Sequence, residues 1–304
     1  LPQLRAILAL RELASFAKAG ERLHLSPPAV FGQIRQLEEE LGEKLYERLG
    51  KRLQLTATGE MLAEYARTIV QQHDDAVRAL KGQGGGKRAL LRAGCGPHTS
   101  IRILPYLLWA FREANQNTEV RQTTGDDLGL IRDLRAGILD AVLMTLPQES
   151  PELEQLPLWR YYLVFALPPS RRRATLAELR ELPFLVLHRP VVIDAAVRRH
   201  CDDAGITPAV LFESDQPDAI KELVKLGVGA TVLPLWSVAQ EASRGELRII
   251  HPRRKRYYRF GWLYRRTAYP SKSLSALLAT GTRWAEWWPL AEYVTPAAGE
   301  DPEA

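Results

Sequence analysis

Residues 26–48 hold the side chains of this 304-residue chain that are best placed to do chemistry. Ser26 is suited to cap a helix, because its hydroxyl accepts from a free backbone N–H of the first turn. Pro27 follows where a missing N–H costs nothing. Val30, Ile34, Leu37 and Leu41 recur at helical spacing and predict an inward face. The opposite face carries Phe31, Gln33, Arg35 and Gln36, with no acidic residue between Ser26 and Leu37. Arg and Gln are the residues that read base edges in a major groove, and an aromatic ring there can meet a thymine methyl. The chemistry implied is recognition, not bond making. Phe31 has a second reading, as a core residue on a slightly rotated face.

The preceding elements are those that would position such a helix. Leu4, Ile7, Leu8 and Leu10 pattern a first helix, Phe16–Leu23 a short second one, and His24-Leu25 a tight turn into Ser26. Two short helices joined by such a turn make a helix-turn-helix whose second helix enters the groove. Residues 44–48 and 52–55 read as two strands around Gly50-Lys51, a wing with net charge +3 over residues 44–52. A basic wing meets phosphates beside the groove. Base contacts are thus expected from Phe31, Gln33 and Arg35, with Pro27, Pro28 and Gln36 beside them. Phosphate contacts are expected from Lys18, Ser26, Arg48, Lys51 and Arg52.

Thr58 can cap a long helix to about Lys81, in which Leu62, Ile69 and Ala76, with Ala66, His73 and Leu80, form a seven-residue seam. Such a helix is about 36 Å long. Its natural partner is the same helix of a second subunit; the alternative is an ordinary intramolecular helix. Gly82-Gln83-Gly84-Gly85-Gly86 then reads as a flexible hinge. From Leu90 onward, strands and helices alternate, which predicts α/β layers with largely parallel sheets. Leu158–Leu167 reads as one strand, Ile101–Asn115 and Ser271–Ala291 as single helices, and 295–304 as a disordered acidic tail.

In such sheets a ligand sits at the carboxyl ends of strands. Gly96-Pro97-His98-Thr99-Ser100, Gly125-Asp126-Asp127 and Thr145 occupy three such ends, and His188-Arg189 a fourth. The hydroxyls and free N–H groups of the first loop make a small anion site reasonable, whereas Asp126 argues against a purely anionic ligand. Thr99, Ser100 and Asp126 could equally be helix caps, and Arg189 a solvated loop residue.

Residues Ala19–Gly59 resemble the N-terminal signature of the LysR-type transcriptional regulators. They share its small-residue second helix, its Ser-x-Pro-Ala start at Ser26, Gln33-Ile34 followed by Leu37-Glu38, and Leu41-Gly42 followed by Leu45-Tyr46 and Arg48. Pro27 and Phe31 depart from that pattern, which usually has Gln and Ser there. A looser similarity covers Ile103-Leu104-Pro105, Leu134–Asp140, Glu213-Ser214 and Gly227–Pro234. The resemblance implies an α/β protein: winged helix-turn-helix over 1–57, linker helix and hinge over 58–86, and a two-lobed, periplasmic-binding-protein-like effector domain over 87–294. Lobe I is expected at 87–162 and 267–294, lobe II at 163–266, with crossing strands near 161–167 and 263–268. It further implies a dimer of dimers on a pseudo-palindromic double-stranded DNA site and a small-molecule effector near His98, Asp126 and Thr145; Thr99, Ser100, His188 and Arg189 are added from the loops. A peroxide-sensing relative uses a cysteine pair; Cys201 matches one member, and the other falls near Val192.

Other classes are less well served by the sequence. With 46% hydrophobic and 25% charged residues, the chain has the composition of a globular protein with a sizeable core. A net charge of +5 suits a polyanion partner without requiring one. No apolar run approaches the roughly 18 residues of a membrane span. The first residues lack a signal-peptide pattern, so the cytoplasm is expected. Only two cysteines occur, so no disulfide framework is expected. No cofactor, metal or catalytic constellation is predicted. Gly94-Cys95-Gly96 lacks the third glycine of a dinucleotide fingerprint, and neighbours in His200-Cys201-Asp202 point apart on a helix. A two-lobed transport protein and an enzyme with a closing cleft are the alternatives, and residues 1–60 argue against both.

Overall fold

A computed structural model describes residues 1–49, 52–81, 89–171, 173–187, 191–266 and 270–297. They form two compact units, one built on Leu1–Lys87 and one on Arg88–Leu134 and Leu139–Ala304. Lys51, His188, Arg189 and the Gly82–Gly86 hinge lie outside the described residues.

The N-terminal unit runs α1 (Pro2–Leu13), α2 (Phe16–Leu23), α3 (Pro27–Leu41), β1 (Tyr46–Leu49), β2 (Arg52–Leu55) and α4 (Ala57–Lys81). Serine caps start two of these helices: Ser15 Oγ accepts from Lys18 N and Ser26 Oγ from Ala29 N, each at 3.4 Å. Between α2 and α3 the chain turns through His24 at φ 56°, and Leu25 N donates to Gly20 O at 2.9 Å. A Cβ on Gly20 would fall 2.6 Å from Leu25 O, so only glycine lets this turn close. Ile7, Leu10, Ala19, Val30, Ile34, Leu45, Ala63 and Ala66 form the core beneath the three helices and the β1–β2 hairpin.

The long helix departs from expectation in two ways. Its cap is Thr56, not Thr58: Thr56 Oγ1 accepts from Gly59 N at 3.0 Å and donates to Lys44 O at 2.6 Å. Its inward face is also rotated. Ala63, Ala66 and Val70 are buried, because α1 packs along them. Ala66 and half-buried Leu62 therefore leave the predicted seam, while Ile69, His73 and Ala76 stay exposed in line with Met61 and Tyr65. Arg11 pairs with Glu60 at 2.8 Å and Glu64 at 2.6 Å, and Arg5 pairs with Asp74, so α1 grips α4 over four turns.

The C-terminal unit has two lobes. In chain order it contains β3 (Ala89–Cys95), α5 (Pro97–Arg102), α6 (Leu104–Ala114), β4 (Thr118–Thr124), α7 (Asp127–Arg135), β5 (Ala141–Thr145), β6 (Leu153–Tyr161), β7 (Leu163–Leu167) and α8 (Leu176–Arg180). It continues with β8 (Phe184–Leu187), α9 (Val191–Asp203), β9 (Val210–Ser214), α10 (Pro217–Lys225), β10 (Thr231–Pro234), α11 (Leu235–Ser243), β11 (Arg248–Ile250) and β12 (Tyr258–Arg265). It ends with α12 (Lys272–Thr282), α13 (Trp284–Trp287) and β13 (Thr295–Pro296). Lobe I is the six-stranded sheet β13-β6-β12-β5-β3-β4 with its helices. Lobe II holds the antiparallel sheet β10-β7-β11 and the parallel pair β8-β9, joined by a bridge between Phe184 and Ala230.

Among the described residues, only β3 with β4 and β5, and β8 with β9, are parallel strand pairs, so the sheets are more mixed than alternation predicted. The expected strand 158–167 is two strands in different lobes, broken at Tyr162. The second crossing is also displaced. β12 pairs with both β5 and β6 as far as Leu153–Arg265, so it belongs wholly to lobe I. Lobe II therefore ends near Ile250, not 266, and the chain returns through residues 251–257. The two crossings are pinned to each other: Tyr162 OH lies 3.2 Å from His251 Nδ1, and Lys255 sits 5.0 Å over the Tyr162 ring. The expected helix 101–115 is α5 followed by α6, and the expected tail begins as strand, with Thr295 and Pro296 on β6. Trp159 anchors the lobe I core, stacked between Phe260 and Trp288 at 4.9 and 4.8 Å.

Candidate nucleic-acid interface and effector cleft

α3 buries Val30, Ile34, Leu37 and Glu38 and exposes Ser26, Pro27, Pro28, Phe31, Gly32, Arg35, Gln36 and Glu39. Arg35 is two-thirds exposed, and its Nε is held by Glu39 Oε1 one turn on at 2.9 Å. Gln36 Oε1 accepts from Gln3 Nε2 at 3.2 Å. Phe31 is 42% exposed, and neither reading of it from sequence is complete. Its ring meets Phe16 at 5.6 Å and Tyr46 at 6.5 Å, edge to face, so it closes an aromatic trio joining α2, α3 and β1. Gln33 differs from expectation: it is half-buried at the border of the face, with its Oε1 enclosed and unpartnered. Lys18 and Arg48 are exposed. Gly32 stands mid-face with open space where a Cβ would be, so a flat surface could approach the helix backbone closely there.

Glu38 fixes the wing to this helix. It is 6% exposed, accepts from Leu45 N at 2.9 Å and from Lys44 Nζ at 3.0 Å. The inward turn of Glu38 follows from the need of the buried Leu45 N–H for an acceptor.

Between the lobes lies a cleft of about 840 Å³, within the size range of small-molecule sites. Of the predicted residues, His98, Thr99, Asp126 and Thr145 line it; Ser100 does not. Ser100 Oγ instead donates to Pro97 O at 2.6 Å, closing its own turn. Asp126 lines the cleft while its Oδ1 accepts from Gly129 N at 2.9 Å. On the floor Thr145 Oγ1 and Tyr161 OH are 2.7 Å apart, and burial pushes the Tyr161 phenol well above its usual range. Beside them, burial and then the neighbouring Asp126 charge push the Asp127 carboxyl up to about 6. Lobe II contributes Asp215, Gln216, Pro234 and Trp236, none of them anticipated, although the rule of strand carboxyl ends applies to β9 and β10 as well.

His98 links the cleft to a buried charge cluster. It is 9% exposed and packs on Trp236 at 5.0 Å. Burial holds its imidazole below the usual range against the pull of Asp218, and the charges of Lys221 and Arg102 also oppose protonation. Lys221 is 1% exposed and reaches Glu241 Oε1 at 2.7 Å, Asp218 Oδ1 at 3.0 Å and Ser237 O at 3.2 Å. Arg102 crosses from α5 in lobe I to Glu241 at 2.6 Å and Asp218 at 3.3 Å in lobe II. His98, at 3.5 Å, and Lys221 hold the Asp218 carboxyl far below the carboxylate range. Asp218 and Lys221 are three apart on α10, but their partners Arg102 and Glu241 are distant in sequence.

The two cysteines are not poised for reaction. Cys95 and Cys201 are buried and unpaired, and burial raises their thiols to about 12 and about 11. A reactive cysteine needs the opposite shift.

A winged helix-turn-helix joined to a two-lobed domain with a ligand-sized cleft defines a regulator that couples DNA binding to a small molecule. Two family models match the chain: "Bacterial regulatory helix-turn-helix protein, lysR family" over residues 1–60 and "LysR substrate binding domain" over residues 84–285. The chain belongs to the LysR family of transcriptional regulators. A RuBisCO operon transcriptional regulator from Allochromatium vinosum is 30% identical over 246 residues, 79% of this chain and 81% of the relative. A probable hydrogen peroxide-inducible genes activator from Mycobacterium avium is 30% identical over 250 residues, 80% of each chain. The solved structure of full-length CbnR with its target DNA is 25% identical with a TM-score of 0.67, covering 93% of this chain and 98% of that one. A full-length OxyR variant from Pseudomonas aeruginosa shares the fold, with a TM-score of 0.70 at 21% identity and 97% of each chain covered. The protein is thus a transcriptional regulator with a DNA-binding helix-turn-helix and an effector-binding domain, in a family of regulators rather than enzymes.

Proposed function

We propose that α3 reads a pseudo-palindromic operator through Arg35, Gln36 and Phe31, with Gln33 at the edge of the contact. Lys18, Ser26, Arg48 and the wing residues Lys51 and Arg52 take phosphates, and Pro27 and Pro28 shape the entry to the groove. The observation that carries this reading is the exposed face of a serine-capped helix free of acid over its first turns, with Arg35 at its middle. Met61, Tyr65 and Ile69 are 59%, 66% and 47% exposed in a row on α4. An apolar row of this kind on a long helix is matched by the same row of a second copy, which brings two recognition helices onto one site; two such dimers make the tetramer. The protein works in the cytoplasm, where the DNA is. An effector in the cleft acts by binding one arrangement of the lobes more tightly than the other.

Host genomic fragments captured by the purified full-length chain, then footprinted at two salt concentrations, test the reading. A long two-part footprint with steep salt dependence is expected. Arg35→Ala should lose about 1–3 kcal/mol of discrimination between operator and random DNA. An unchanged ratio would show that α3 does not read bases through Arg35. Tyr65→Glu should halve the mass measured by light scattering; an unchanged mass would remove α4 from the interface.

A further inference from the structure

We infer that the effector is an organic cation, an amine or guanidinium compound with an apolar body, held between Asp126-Asp127 on lobe I and Asp215 on lobe II. This rests on reading the cleft as the effector site and names the chemistry that site would select.

Three features of the cleft converge on that class. Its described lining residues include the carboxylates of Asp126, Asp127 and Asp215, and no lysine or arginine. An anion entering would meet repulsion from both lobes, whereas a cation relieves the mutual repulsion of Asp126 and Asp127, which are adjacent. The second feature is independent of the carboxylates. His98 lines the cleft and is nine-tenths buried, and among the described residues its Nε2 has no hydrogen-bond partner. With its proton on Nδ1, toward Asp218 at 3.5 Å, Nε2 is left as an acceptor. A buried acceptor without a donor is costly, and a ligand N–H supplies one. Thirdly, Trp236 and Phe260 also line the cleft, with ring centroids 6.3 Å apart. Aromatic faces beside carboxylates are a favourable setting for ammonium and guanidinium groups.

Two alternatives fit less well. An anion would need the turn at Gly96–Ser100, but there Pro97 has no N–H to give and the Ser100 hydroxyl is committed to Pro97 O. An inorganic cation would need converging ligands, and among the described residues no group of three or more His, Cys, Asp or Glu is arranged to hold a metal ion.

The test uses a length-matched series on the full-length protein: 1,5-diaminopentane, agmatine, pentane-1,5-diol and glutarate, at constant ionic strength. Binding is read by tryptophan emission, since Trp236 lies in the cleft wall. The two amines should bind at up to millimolar concentration, and Asp127→Asn and Asp215→Asn should each weaken them about tenfold. Asp215 is exposed, so its variant should fold normally. Glutarate or the diol binding as tightly as the amines would overturn the charge class and leave the cleft reading intact. No response to any of the four probes would also overturn the proposal. Operator footprinting with the amine separates the two readings: amine binding that leaves the footprint unchanged would sustain the cation site and sink its role as the effector site.

Discussion

Replacing Lys221 by Met should be the most damaging conservative change in the C-terminal unit. The Lys221 ammonium is nearly inaccessible and has three acceptors within 3.2 Å: Glu241, Asp218 and Ser237 O. The cluster of Arg102, Lys221, Asp218 and Glu241 is electrically balanced as it stands. Lys221→Met leaves the volume nearly filled but leaves the buried Glu241 carboxylate without its ammonium partner and gives the cluster a net negative charge. Removing one partner of such a buried pair costs about 3–5 kcal/mol. All seven tryptophans lie between Trp109 and Trp288, so tryptophan emission during urea denaturation reports on this unit alone. With a slope of roughly 2 kcal/mol per molar urea, the midpoint should fall by about 2 M.

The same variant should show a diagnostic pH dependence. Lys221 is one of the charges that oppose protonation of His98. Without it His98 takes a proton more readily in the folded variant than in wild type. Its folded-state pKa rises relative to wild type, so the compensating stability is present at low pH and is lost as pH rises through that pKa. The deficit should therefore be smaller near about pH 5.5 than near about pH 8. Adding Glu241→Gln removes the uncompensated charge and should restore at least half of the loss. A deficit below about 1 kcal/mol, the size seen for exposed pairs, or a further loss on adding Glu241→Gln, would refute this account of the cluster.

Glu38→Ala leaves the buried Leu45 N–H without its acceptor and should cost the N-terminal unit about 1–3 kcal/mol. Far-UV circular dichroism should show an earlier partial melt while the tryptophan transition stays in place; both moving together would contradict the assignment. Asp127→Asn should stabilise the C-terminal unit above pH 6, because wild type must ionise a half-buried carboxyl raised to about 6. For a carboxyl with a raised folded-state pKa that penalty is absent at pH values below the unfolded range near 4 and grows as pH passes through 6. Urea midpoints should thus differ by about 1–2 kcal/mol near pH 8 and converge near pH 4; a constant difference would exclude titration as the cause.

The recognition helix was readable because its signals are local. A capping Ser26, a Pro27 at the first position and apolar residues at helical spacing need no information from elsewhere in the chain. The frame of α4 was not, since the choice between Ala66 and Met61 as inward or outward depends on where α1 packs. The lobe boundary failed for a related reason. β6 and β7 are both buried around the break at Tyr162, with no glycine or proline there, so nothing in residues 158–167 marks a change of sheet. In the cleft, the lobe I loops were found by the rule of strand ends. Asp215 and Gln216 were open to the same rule after β9 but were passed over for His188 and Arg189, which lie outside the described residues. The cluster around Lys221 joins residues over a hundred positions apart, and pairing at that range has no sequence signature.

The grip of α1 on α4 has a mechanical consequence. Because Arg5 and Arg11 fasten the reading head along four turns of the long helix, head and helix swing together as a lever. Twenty-five residues give that lever about 37 Å of length. A tilt of about 10° at one end carries the other through about 6.5 Å, close to two base-pair steps of DNA. On the operator proposed above, a change of angle of this size would carry the recognition helix from one register to another.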